Sequence, residues 1–280
     1  MPSSVVLITG TSSGIGLSTA VAAARAGHTT VATLRNPAGD TALRSAAEAA
    51  GVELDVRTLD VTRGSSIGSC IDGVVADHGR LDAVVNNAGA GHIGTIENEG
   101  IDAVRSVMEV NFFGVVAVTK AALPHLRATG GRLVTISSVG GAVGQPFNEA
   151  YCAAKFAVEG FLESLAPVAA TVGVAVTIVE PGPVATEFVA NVGVDPAVLF
   201  AGAGPYEPAL QAYVNHIMGT FSSDAAQTGD QVAEVVLAAL TDESPALRVQ
   251  TSPWAAEFVA TKLADLDGRR VLTETGGWLR

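Results

Sequence analysis

Three side chains at fixed spacing could move a proton. Tyr151 and Lys155 stand four residues apart in Glu149-Ala150-Tyr151-Cys152-Ala153-Ala154-Lys155, and Ser138 lies thirteen positions upstream. The segment has helical composition, which puts i and i+4 on one face. With three tyrosines and three lysines among 280 residues, a Tyr-x3-Lys pair arises by chance about 0.03 times. A phenol with a pKa near 10 is a weak base at neutral pH. An ammonium about 5 Å away, at an effective dielectric near 20, favours the phenolate by about 3 kcal/mol, roughly two pKa units. Lys155 is therefore expected to bring Tyr151 toward working range. Ser138 could hydrogen-bond an oxygen on which charge develops. Ser137 is set aside, because strand alternation turns it to the other face. Asn111 interrupts an apolar helical stretch and needs partners if buried. It either holds a water against Lys155 or is a structural, helix-kinking residue. Such a set suits proton transfer at a carbonyl or alcohol oxygen.

A second chemistry is written near the N-terminus, in Thr9-Gly10-Thr11-Ser12-Ser13-Gly14-Ile15-Gly16. The turn follows an apolar run and opens a helical one, the context that makes a glycine pattern informative. Gly10 permits the tight turn, Gly14 lets backbone approach a pyrophosphate, and Gly16 lets the helix pack on the sheet. Free N–H groups and the positive helix end attract the anion. An acid about 20 residues on, at the end of the second strand, would favour NAD. Here that place reads Ala32-Thr33-Leu34-Arg35-Asn36. A guanidinium suits a 2′-phosphate, so NADP(H) is expected, with Ser12, Ser13 or Asn36 assisting. Asp60, beside Val61, could accept from an adenine amino group. Asn86-Asn87-Ala88-Gly89 leaves room for the adenosine half, and its asparagines can tie down the turn. Glu180-Pro181-Gly182-Pro183-Val184-Ala185-Thr186 makes an abrupt exit from a strand, with Thr186 placed to bond a carboxamide.

The elements that must position these groups alternate. Strands are expected at Val5–Thr9, Thr30–Leu34, Val56–Leu59, Ala83–Asn86, Arg132–Ile136, Val174–Glu180 and Leu247–Thr251, with a first helix at Gly14–Ala26. Near-continuous apolar strands mean both sheet faces are covered, the mark of a parallel sheet. Right-handed helical crossovers then give one doubly wound α/β domain over 1–280. The stretch 184–228 breaks the rhythm with Pro196, Pro205, Pro208, Phe188, Phe200, Tyr206, Tyr213 and Phe221. An insertion this long reads as a substrate lid, against a passive surface loop.

Bulk composition narrows the partners. A formal charge of −12 makes nucleic acid a poor partner. Cys70 and Cys152 are the only cysteines, which gives no disulfide framework or metal-site pattern and suits a reducing cytosol. The N-terminus carries no secretory pattern, and the sequence holds no uninterrupted run of 18 apolar residues, so no membrane span is expected.

In order along the chain stand Thr-Gly-x3-Gly-Ile-Gly, Asn-Asn-Ala-Gly, a mid-chain Asn, Ser, Tyr-x3-Lys and Pro-Gly. Together they resemble the short-chain dehydrogenase/reductase family, over residues 4–188 most clearly. The resemblance implies a Ser138–Tyr151–Lys155 triad extended by Asn111, with hydride transfer to or from a nicotinamide. It implies cofactor contacts at Gly10, Ser12, Ser13, Gly14, Ile15, Gly16, Arg35, Asp60, Val61, Asn87, Ala88, Gly89, Tyr151, Lys155, Pro181, Gly182, Val184 and Thr186. Ser137-Ser138-Val139-Gly140-Gly141, Gly144-Gln145-Pro146-Phe147-Asn148 and Phe156-Ala157 with Glu159-Gly160-Phe161 further resemble the 17β-hydroxysteroid and retinol dehydrogenase branch. That branch implies NADP(H) and a bulky apolar alcohol or ketone, with Gln145, Phe147, Phe188, Tyr213 and His216 as cleft residues. His216 reads first as an ordinary lid or surface histidine, and only second as a cleft residue. The family likeness also implies a homodimer or homotetramer through apolar helices at 103–127 and 149–170. Broad carbonyl reduction, NAD-linked polyol or hydroxyacyl oxidation, and a non-catalytic NADP(H) sensor remain as alternatives.

Overall fold

The computed structural model describes residues 3–185, 196–221, 226–264 and 277. Seven parallel strands run in the order β3-β2-β1-β4-β5-β6-β7. They are β1 Val5–Thr9, β2 Thr29–Leu34, β3 Asp55–Thr58, β4 Ala83–Asn86, β5 Arg132–Ile136, β6 Ala175–Glu180 and β7 Arg248–Gln250. The expected strands are all present, three with the expected ends and four with one or both ends displaced by one residue. The chain runs outward from β1 to β3, then returns to place β4 on the other side of β1. This reversal opens a crevice at the carboxyl ends of β1 and β4, where open α/β sheets bind ligands.

The helices are α1 Gly14–Arg25, α2 Thr41–Ala50, α3 Gly64–His78, α4 Ile101–Met108, α5 Gly114–Thr129, α6 Glu149–Ala170, α7 Pro196–Gly202, α8 Glu207–Phe221, α9 Gly229–Thr241 and α10 Pro253–Leu263. One face of the sheet is covered by α3, α5 and α6 through Leu7, Ile71, Val118, Leu126, Leu133, Leu162 and Ile178. The other is covered by α1 and α9 through Ile8, Ala20, Val85, Val134, Val179, Val232 and Val236. Burial on both sides explains why β1 and β4 are apolar without alternation.

A single π turn, Glu109–Phe113, joins α4 to α5 and carries the buried Asn111. Such turns occur often at functional sites. The run Ile101–Thr129 has a mean hydropathy of 1.4 over 18 residues, long and apolar enough to cross a membrane. Asp102, Arg105, Glu109 and Lys120 interrupt it, so it is not a continuous apolar run. Its apolar residues have a local reason, however: Val115, Val118, Ala122 and Leu126 lie in the core beneath the sheet.

Residues 184–228 leave and re-enter the fold at one place. Val184 and Gln227 form a parallel bridge, and the Ala185 N–H donates to the Gln227 carbonyl at 2.8 Å. Within it α8 packs through Leu210 and Tyr213 onto Phe147, whose ring centroid lies 5.7 Å from that of Tyr213. Asn148 donates to the Tyr213 hydroxyl, so α8 is fastened to the loop just before α6. Thr186 and Phe188 lie outside the described residues.

Candidate active site

The glycine turn is built by contacts that only glycine permits. Gly10 has φ +71°, and a Cβ there would stand 2.7 Å from the Ala88 Cα. At Gly16 a Cβ would stand 2.2 Å from the Gly10 carbonyl oxygen and 2.3 Å from Asn87 Nδ2. Gly16 was expected to ease helix against sheet, but it eases the helix against the turn itself. Asn87 pins this arrangement, donating from Nδ2 to the Thr9 and Gly10 carbonyls, both at 2.9 Å. Thr9 Oγ1 in turn accepts from the Asn87 and Ala88 N–H groups at 3.0 Å. Asn86 does different work: it is buried and donates to Thr119 at 3.2 Å.

Gly10, Ser12, Ser13, Gly14, Ile15, Gly16, Arg35, Asp60, Val61, Asn87, Ala88, Gly89, Pro181, Gly182 and Val184 all line one cleft of about 630 Å³. Ser138, Gln145, Tyr151, Lys155, Tyr213 and His216 line the same cleft. The cradle is bare backbone where a side chain would intrude, and the Ser13 hydroxyl makes no capping bond to α1. Free N–H groups at that helix start can thus meet an anion, so the residues fit a dinucleotide pyrophosphate. Arg35, exposed at the end of β2, lies near enough to Asp60 to act on its charge. Burial pushes the Asp60 carboxyl up, but bonds from the Thr62 hydroxyl and N–H, with Arg35 and Arg63 nearby, outweigh it and bring the pKa down. Both Thr62 bonds go to Oδ1, at 2.7 and 3.0 Å.

At the other end α6 presents Tyr151 and Lys155 from successive turns. The Lys155 amine donates to the Ile136 carbonyl at 2.9 Å and sits 5.7 Å from the Tyr151 ring centroid. Ser138, just past β5, accepts from the Gly140 N–H at 3.0 Å and hydrogen-bonds the Tyr151 side chain. Ser137 points elsewhere, its hydroxyl beside Gly141 and Glu159, as alternation required.

Electrostatics depart from the expectation. Burial pushes the Tyr151 phenol up, with the Ser138 bond only partly opposing it. Burial also brings the Lys155 amine down to about 8, against the pull of Glu159. Desolvation of both groups overrides the attraction reckoned for a half-solvated pair. The phenol is therefore held loaded with its proton at neutral pH, rather than brought into range by Lys155.

Asn111 is tied to backbone beside the cleft. Its amide donates to the Ala90 and Val107 carbonyls at 3.0 and 3.1 Å and accepts from the Ala90 N–H at 3.2 Å. It flanks Gly89, whose Cβ position would lie 2.9 Å from Asn111 Oδ1 and 3.9 Å from Lys155 Nζ. Asn111 thus holds the backbone that Lys155 faces and makes no direct bond to the lysine among the described residues. Phe147 was expected in the cleft, but it is 7% exposed with φ +54° and packs under α8.

Several lining residues were missed. Ile217 and Thr220 join Tyr213 and His216 on the cleft wall, and the four follow i, i+3, i+4, i+7 on α8. That helical spacing was a legible signal. His92, held by Glu99 at 2.8 Å, and Trp254 of α10 carried none. Trp254 arrives from the far end of the chain to cover Gly182, where a Cβ would meet its ring at 2.9 Å. Among the described residues no group of three or more His, Cys, Asp or Glu is placed to hold a metal.

The family model described as short chain dehydrogenase matches residues 4–196. Retinol dehydrogenase 8 of Bos taurus is 37% identical, with 94% of this chain and 86% of that protein covered. The 17-beta-hydroxysteroid dehydrogenase type 1 of Homo sapiens is 38% identical, covering 98% of this chain and 85% of its own. Among solved structures, a short-chain dehydrogenase from Streptomyces avermitilis superposes with a TM-score of 0.77 at 31% identity. It covers 98% of this chain and 97% of that one.

Proposed function

The chain belongs to the short-chain dehydrogenase family, an oxidoreductase family acting on CH–OH groups with a nicotinamide cofactor, and on that premise we propose an NADP(H)-dependent enzyme. It interconverts a secondary alcohol and its ketone, or a primary alcohol and its aldehyde, on a bulky apolar substrate. The observation that carries this is the sharing of one cleft by the glycine cradle and by Ser138, Tyr151 and Lys155.

A nicotinamide held in this cleft would supply or accept the hydride. Tyr151 gives the proton to the carbonyl oxygen in reduction and takes it back in oxidation, and burial keeps the phenol protonated beforehand. Ser138, already bonded to Tyr151, holds the substrate oxygen beside the phenol. Lys155 offers a positive charge behind the phenol as the proton leaves. Asn111, through Ala90 and Gly89, keeps the backbone facing Lys155 in place. Preference for NADP(H) is supported by Arg35 on the cleft rim and by the lack of an acid at the end of β2. An apolar substrate is supported by Ile93, Val139, Ile217, Phe221 and Trp254 lining the cleft, with α8 as the lid.

The same reading holds a homodimer or homotetramer, favoured by Phe113 and Val168, which stand 50% and 63% exposed on α4–α5 and α6. It also holds a cytosolic setting, favoured by two free buried thiols. A panel of steroid, retinoid, aromatic and aliphatic carbonyl compounds, followed by nicotinamide absorbance with NADPH and NADH, tests it. Turnover of bulky ketones or aldehydes with higher kcat/KM for NADPH is expected. Preference for NADH would remove the cofactor assignment, and bound cofactor with no turnover on any compound would favour a sensor.

A further inference from the structure

Behind the catalytic face lies a buried acidic cluster that the proton transfer described above does not use. Glu159 follows Lys155 by one turn of α6 and is 6% exposed, while Glu180, the last residue of β6, is fully buried. The two carboxyls come within hydrogen-bonding reach of each other. Arg248 of β7 lies between them, with Nε 2.9 Å from Glu159 Oε2 and 3.5 Å from Glu180 Oε1. Its Nη2 meets the largely exposed Glu163 at 2.8 Å. Gln250 donates to Glu180 Oε2 at 2.6 Å. Ser137 closes the front, and a Cβ on Gly141 would fall 2.7 Å from its hydroxyl and 3.2 Å from Glu159 Oε1. Glycine at 141 is what leaves room for this approach.

The donors do not cover the acceptors. Glu159 Oε1 and Glu180 Oε1 are both buried and receive no hydrogen bond from any N–H or O–H group. Two buried carboxylates within hydrogen-bonding reach of each other resist carrying two charges beside a guanidinium that Glu163 also draws on, even with the Lys155 amine one turn of α6 away. A single proton between them supplies the missing donor and removes one charge. Burial pushes the Glu180 carboxyl up, and Glu159's charge adds to that against Gln250 and Arg248, so Glu180 is the member that holds the proton.

We propose that Glu159 and Glu180 share one proton, and that the single negative charge left on Glu159 is a positioning charge that keeps Lys155 an ammonium behind Tyr151. The groups around this charge are Lys155 and Glu163 on α6, Ser137 after β5, Glu180 on β6 and Arg248 on β7. Glu159 touches neither substrate nor cofactor and acts through the lysine. This rests on the oxidoreductase reading, since the lysine's charge matters only where the phenol exchanges a proton.

The test is the pH profile of kcat/KM for the full-length enzyme with NADPH and its best carbonyl substrate, compared with E159Q and E180Q. In E159Q the alkaline limb should move to lower pH by about half a unit, a loss of about threefold on that limb. E180Q, a neutral stand-in for the protonated acid, should keep the wild-type limb. An unmoved limb in E159Q with only a lowered Tm would make Glu159 a packing residue and overturn the proposal, as would an equal shift in both variants. Infrared spectroscopy of the wild-type protein at pH 7 decides the matter even if E159Q does not fold. A protonated-carboxyl C=O band lost in E180Q supports the shared proton, and no such band in the wild type overturns it. That spectrum needs no substrate, so failure of the carbonyl screen remains distinct from failure of the carboxyl pair.

Discussion

Replacing Lys155 with methionine should make the protein more stable at neutral pH while ending catalysis. The lysine is 5% exposed, and burial lowers its amine from 10.5 to about 8. That displacement corresponds to about 3 kcal/mol of differential cost for the charged form. The sign follows from proton linkage: between pH 8 and 10.5 the unfolded chain binds the proton that the folded chain releases. Stability from this group therefore rises with pH through that window, and the cost is fully present below it. Methionine keeps the stem volume and removes the charge, but it leaves the Ile136 carbonyl without its donor, at about 1–3 kcal/mol. The net at pH 7 is a gain of about 1 kcal/mol, reversing to a loss near pH 10.5. Urea unfolding of both proteins at pH 7, 8, 9 and 10 checks it. The informative quantity is the change in their difference, about 3 kcal/mol over the window, because all other titrating groups cancel. A difference that stays flat with pH would refute the buried, readily deprotonated amine.

Other outcomes can be checked alongside. Tyr151→Phe should cut kcat by roughly 10²–10⁴-fold with NADPH affinity unchanged by fluorescence titration, since only the proton-transferring oxygen is lost. Arg35→Asp should lower kcat/KM with NADPH by roughly 10–100-fold and leave NADH little changed, in line with the loss of one or two charge-assisted bonds. Gly16→Ala should weaken binding of either dinucleotide and destabilise the fold by about 1–3 kcal/mol, read by Tm, because its Cβ would meet the Gly10 carbonyl at 2.2 Å. Tyr213→Phe should raise KM for bulky substrates with a smaller effect on kcat, as it frees α8 from Asn148.

Much of this protein is legible one residue at a time. The apolar strands announce a sheet covered on both faces, because no other arrangement buries Val5–Thr9 and Ala83–Asn86 completely. The glycine turn and the Tyr151/Lys155 spacing are local patterns whose geometry follows from neighbouring backbone, so both could be placed in the cleft from sequence. Phe147 could not be placed, because an aromatic residue beside catalytic ones reads the same whether it faces a cleft or the underside of α8. Nor could the tertiary partner of Asn111, Ala90, which it meets only once α4 and the π turn fold against the turn after β4.

Sequence alone placed the chemistry-bearing groups: a glycine turn open to an anion, and a phenol and an amine that line the same cleft. Tertiary structure alone decided the charge states, since desolvation depends on everything packed around a group and not on its neighbours in the chain. It raised the Tyr151 phenol where proximity to Lys155 promised the opposite. It also gathered Glu159, Glu180 and Arg248 from a helix and two strands, over separations that no periodic pattern spans.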